Sequence, residues 1–140
     1  MANWDQEEIK LLLSSLAAGQ GCEIKPATKE KIDIFHERAL ADGVDSKAIS
    51  QLIDLYQVAN GFSYETVIDF HDCEDEIIFE WWSHGELWLG LRDFYVIRWA
   101  NNKFCLGDAS NSSFSAEYEY GTLIELIKGC IDEIRQTEQP

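Results

Sequence analysis

Hydrophobic positions recur with a helical period in the first third of the chain and again near its end. Ile9, Leu12, Leu13 and Leu16 stand at offsets 0, 3, 4 and 7, the spacing that lines one face of an α-helix. Asn3 with Gln6 three residues on reads as a capping box for this helix, Asp5, Glu7 and Glu8 suit the positive end of its dipole, and Gly19 and Gly21 stop it. A second helix is predicted over residues 28–40 with Ile32, Phe35 and Ala39 inward, broken by Asp42-Gly43. Asp45 or Ser46 caps a third, which carries Ile49, Leu52, Ile53 and Tyr56 at the same offsets. Asn60-Gly61 is expected to end it, since both residues tolerate the left-handed conformation of a C-terminal cap. The last helix starts near Tyr120 or Gly121 and has the clearest stripe: Leu123, Leu126, Ile127, Cys130, Ile131 and Ile134.

Between residues 62 and 106 the texture changes to short aromatic and β-branched runs. Strands are predicted over residues 67–70, 77–82, 87–89, 94–99 and 104–106. In the second of these, alternation sets Ile77, Phe79 and Trp81 against Ile78, Glu80 and Trp82. Asn101-Asn102 suits a two-residue hairpin turn, where positive φ is needed. Strands joined by short turns pair antiparallel. The expected fold is α+β: a single two-layer domain over residues 1–140, its mainly antiparallel sheet covered by N-terminal helices and a C-terminal helix.

A chain of 140 residues is the size of one domain. Charge changes the picture most: 11 Lys and Arg against 26 Asp and Glu leave a net charge of −15. Such a surface repels phosphate and anionic lipid, so neither nucleic acid nor membrane is an expected partner, while basic proteins and cations are. No run approaches the length of a membrane span, and Met1 to Glu8 lacks the basic and apolar regions of a signal peptide. Cys22, Cys73, Cys105 and Cys130 include no CxxC pair. Reduced thiols and a cytoplasmic location are therefore expected.

Three blocks of the sequence resemble the SUKH superfamily, the cell-wall assembly regulator (SMI/KNR-type) family. Residues 55–62, LYQVANGF, carry a helix end into an Asn-Gly-aromatic step. Residues 94–108, FYVIRWANNKFCLGD, form a hairpin ending in Gly-Asp, and residues 120–127, YGTLIELI, open the closing helix. The resemblance spans about residues 50–135 and departs from the family in lacking a Leu-Pro step before the third helix, where Asp45-Ser46-Lys47-Ala48-Ile49 stands. It implies an adaptor fold with no established catalytic residue. It further implies either an immunity protein that neutralises a toxin of a bacterial polymorphic toxin system, or a regulator of the glucan-synthesis type.

Candidate partner-binding residues come from one stretch. Residues 48–91 contain no Lys or Arg but nine acids, Asp54, Glu65, Asp69, Asp72, Glu74, Asp75, Glu76, Glu80 and Glu86, interleaved with aromatics. Carboxylates would steer a basic protein and tryptophans would anchor it. Asp69, Asp72, Glu74, Asp75, Trp82, Glu86 and Trp88 are the expected contacts, with Trp82 and Trp88 as anchors in the basic groove of a toxin. The same residues also fit a half-buried strand and a solvated turn.

No catalytic or metal site is expected. His71-Asp72-Cys73 with His84 matches no zinc spacing, and strand geometry would put His71 and Cys73 on one face with Asp72 on the other. Residues 72–76 lack the register and glycine of an EF-hand loop. Glycine-rich phosphate loops are absent, and the Cys and His residues have no flanking signature of a nucleophile. The expectation is a non-enzymatic binding module without a cofactor, its partner a basic toxin or a host regulatory protein.

Overall fold

The computed structural model describes residues 4–17, 24–64, 68–80, 82, 85–92, 95–108 and 115–138. Three helices come first: α1 (Trp4–Ala17), α2 (Lys29–Asp42) and α3 (Ser46–Val58). Six strands follow: β1 (Ser63–Tyr64), β2 (Ile68–Phe70), β3 (Leu87–Arg92), β4 (Tyr95–Ala100), β5 (Lys103–Asp108) and β6 (Ser115–Tyr120). Helix α4 (Leu123–Glu138) closes the chain of elements, and a 3-10 helix (Glu76–Phe79) interrupts the path from β2 to β3. The fold is α+β.

Local chemistry sets the helix ends. The Thr28 side chain accepts from the Lys31 amide at the start of α2, and Gly43, at φ 83°, closes it by donating to the Ala39 and Leu40 carbonyls. Asp45, the first of the two predicted caps, accepts from the Lys47 amide at 2.8 Å to open α3. Thr122 does the same for Glu125 in α4, so this helix begins at Leu123, after Tyr120 has ended β6. The Gln6 amide reaches Asp54 and Gln57 on α3. One expected end differs. Helix α3 stops before Asn60-Gly61, at an extended Ala59 whose N–H bonds to the Leu55 carbonyl, and the positive φ of 79° at Gly61 serves the turn beyond. The predicted cap at Asn3 and the stops at Gly19 and Gly21 lie outside the described residues.

The sheet is an antiparallel meander in the order β1-β2-β3-β4-β5-β6. Asn101 and Asn102 have φ of 54° and 64° and turn β4 into β5, as the two-residue hairpin requires. One prediction fails. The described residues of the 77–82 run form no strand: the Asp75 side chain accepts from the Ile77 amide at 3.1 Å and starts the 3-10 helix instead. Neighbouring Ile78 and Phe79 are both buried, which an alternating strand does not do. Strands β1 and β6 were not anticipated by the sequence pattern.

Leu87, Leu89, Ile97, Trp99, Phe104 and Leu106 point from the sheet into one core. They meet Ile9 and Leu13 of α1, Phe35 of α2, Leu52 and Tyr56 of α3, and Leu126 and Ile127 of α4. A bulge between Trp88 and Gly90 shifts the alternation, so that Arg92 also faces the helices and pairs with Glu133 of α4 at 2.6 Å. Gly90 is required there: a Cβ would lie 1.9 Å from the Asp69 carbonyl oxygen. No helix among the described residues is long and apolar enough to cross a membrane.

Candidate functional site

The seven predicted contact residues fall in three places. Asp72, Glu74 and Asp75 share the turn after β2. Asp72 accepts from the Glu74 amide at 3.0 Å, Asp75 from the Ile77 amide, and the Asn60 side chain accepts from the Cys73 amide at 2.8 Å. Asp72 and Asp75 thus shape the backbone before they do anything else. Helix α2 then supplies cations. Lys31 pairs with Glu74 at 2.9 Å, and Arg38 pairs with Glu76 at 2.6 Å while its guanidinium lies 4.4 Å from the centre of the Phe79 ring. Hydrogen bonding and charge from Glu74 raise the Lys31 pKa. The stretch without bases is therefore a property of the sequence and not of the surface. Lys31 and Arg38 are seven residues apart, two turns along one helix edge, and that spacing was the available signal.

Trp82 stands by itself. It is half-buried, its indole N–H donates to the Asp42 carbonyl at 2.7 Å, and its ring stacks on Trp99 at 6.5 Å. The last residue of α2 and the core thus hold it in place.

Asp69, Glu86 and Trp88 belong to the sheet face turned away from the helices. Strand register lines up Trp88, Arg98, Cys105 and Glu119 in one row of that face, and Asp69, Leu91 and Val96 in the next. Arg98 is only 4% exposed, forms an ion pair with Glu86, and lies 5.8 Å from the Trp88 ring. Trp88 donates to the Gly90 carbonyl at 3.2 Å and meets His71 edge to face at 6.0 Å. His71 Nε2 is buried and has no hydrogen-bond partner among the described residues. Leu91, at 37% exposure, stands beside this cluster. Burial, helped by Glu119, pushes the Cys105 thiol up to about 11.

Sequence reading missed Arg98 and His71 as neighbours of Trp88. Alternation gives their face, but the bulge hides which residues share a row. His71 and Cys73 do not share a face. Strand β2 ends at Phe70, and the turn carries Cys73 inward to the core. Among the described residues no three His, Cys, Asp or Glu side chains converge on a point that could hold a metal ion. His84 lies outside the described residues.

In comparisons with known proteins, the chain matches no family model, no curated protein and no solved structure. The likeness to the SUKH superfamily rests on the three sequence blocks alone.

Proposed function

We propose that this chain is a non-catalytic binding module of the SUKH type that captures a basic protein, in the manner of an immunity protein holding a toxin. The observation that carries the reading is the outer sheet face. A half-buried indole, Trp88, and the exposed Leu91 lie next to each other there, with Asp69 beside Leu91 and Glu119 in the Trp88 row. The one arginine of these rows is buried against Glu86. Aromatic and aliphatic anchors within a carboxylate rim suit a basic partner, because the rim accelerates encounter and the anchors are desolvated on contact. A nuclease toxin holds its substrate phosphates in a basic groove, and such a groove is what this face would cover.

The geometry also selects the variants. Lysine at Asp72, Asp75 or Glu86 would remove caps and the partner of Arg98, and so would confuse binding with stability. Asp69→Lys, Glu119→Lys and Trp88→Ala leave those bonds in place. The purified chain is immobilised, lysate and secreted fractions of the source organism are passed over it, and salt is raised in steps. A stoichiometric basic protein that elutes at moderate salt, and that the triple variant binds at least about tenfold more weakly, supports the reading. Capture of no basic protein, or equal binding by the triple variant, rejects it.

A further inference from the structure

The sheet ends in two edges of different kinds. Strand β1 has two residues, too short to template another chain. Strand β6 has six, Ser115–Tyr120, without proline or glycine, and pairs with β5 from Asp108↔Ser115 to Phe104↔Tyr120. Among the described residues no strand lies on its outer side, and no loop or turn hydrogen bond reaches it. In an antiparallel pair alternate residues turn their N–H and C=O groups away from the partner strand. Strand β6 therefore presents a row of backbone donors and acceptors at the rim of the sheet.

The strand is held from behind. Register puts Tyr118 and Tyr120 on the helix side, opposite Leu106 and Phe104. Tyr120 lies so close to α4 that a Cβ on Gly129 would meet its hydroxyl at 2.6 Å, and Tyr118 meets Tyr95 of β4 edge to face at 6.1 Å. Tyr118 is still 42% exposed. Glu119, opposite Cys105, is exposed on the other face. An added strand would thus find an aromatic ring on one face and a carboxylate on the other.

Charge decides between a second copy and a different partner. Residues directly opposite in a sheet share a face, so a strand pairing with its own copy about a two-fold axis has a residue on that axis. Centred on residue 117 or 119, the pairing sets a Glu against itself; centred on 118, it sets Glu117 against Glu119. Like charges directly opposite are destabilising, and lysine or arginine in the same places is favourable. The net charge of −15 on each copy works in the same direction. This preference holds whether or not Glu119 has a neighbouring cation, and Lys103 of β5 stands past the last paired position.

We propose that β6 takes up an extended segment of a basic protein as a further strand of the sheet, with lysine or arginine on the Glu119 face and an apolar side chain against Tyr118. The backbone edge supplies the hydrogen bonds and the alternation supplies the choice of sequence. The inference goes beyond the sheet-face reading and shares only Glu119 with it.

The test uses the full chain and a labelled, end-capped heptapeptide of alternating lysine and valine. Two further forms are N-methylated, one at every lysine and one at every valine; each keeps the charge and loses the N–H donors of one edge. Binding is read by fluorescence anisotropy, and amide hydrogen exchange by NMR. The expected result is binding that protects alternate amides within residues 115–120. One methylated form should bind about tenfold more weakly than the parent peptide, and the Glu119→Lys chain should bind the parent about tenfold more weakly. Trp88→Ala should leave peptide binding unaltered, which separates the edge from the anchor of the sheet face. Absence of binding, binding without protection in 115–120, equal affinity of both methylated forms and the parent, or loss of binding in Trp88→Ala would overturn the proposal. A dimer of the chain alone, with the same amides protected, would also overturn it by assigning the edge to a second copy.

Discussion

Arg98 is nearly sealed from water and its charge is met by Glu86, whose own side chain is 22% exposed. Removing one partner of such a pair leaves a charge buried without its counterpart, which costs more than the pair itself contributes. Glu86→Ala should therefore lower stability by about 3 kcal/mol, measured by urea unfolding. Replacing both partners together, Glu86→Leu with Arg98→Met, should cost less than the single change. A double variant that is worse than the sum of its singles would refute the assignment. Gly90 sets a different limit at the same place, because there the obstacle is backbone. Gly90→Ala should cost about 3 kcal/mol or prevent folding, since the Asp69 carbonyl cannot move aside as a flexible side chain would. Cys105 makes stability depend on pH. Its thiol is held protonated in the fold up to about 11, above its ordinary 9.0. The unfolded chain releases the proton first, so this contribution is complete below pH 9 and is lost as pH rises towards 11. Urea midpoints should fall across that interval, and Cys105→Ala should flatten the decline.

At the scale of elements, the four helices were legible because their apolar spacing is regular, and in α2 and at the start of α3 the caps agree with it. Ile32, Phe35 and Ala39 are buried as predicted, and Gly43 stops α2 where Asp42-Gly43 marks the break. The 77–82 run misled because a 3-10 turn and a strand both accept Ile-Ile-Phe, and one side-chain bond from Asp75 decides between them. Strand β6, SAEYEY, is too acidic to signal a strand by composition, and only its pairing with β5 makes it one. That Asp75 bond yields a test that separates cap from contact. Asp75→Ala should cost about 1 kcal/mol, while Asp75→Asn should cost little, because asparagine also caps. If Asp75 contacts a basic partner, the asparagine variant keeps its melting temperature and loses association rate. If Asp75 is only a cap, both its stability and its association rate stay as they were.

For the whole molecule, the α+β layering followed from element order, whereas the site did not. Sequence distance hid that Lys31 and Arg38 neutralise Glu74 and Glu76, because the pairs join α2 to a turn about 40 residues further on. Net charge remains the clearest global quantity. With 26 acids against 11 bases the fold strains against its own repulsion, and exposed ion pairs such as Lys29–Asp33 return little. Raising salt from low ionic strength to about 0.15 M should therefore raise the melting temperature. A fall on adding salt would mean that ion pairs outweigh repulsion.

The meander order has a bearing on how the protein is made. As the chain leaves the ribosome, each strand finds its only upstream neighbour already present, so the sheet can be laid down one hairpin at a time. Helix α4 comes last, and it alone brings Leu123 and Glu125 to the wall facing Ile9 and Asp5. A nascent chain can thus display its sheet while the helical layer is still open on one side. The outer sheet face can therefore be complete before the helical layer is.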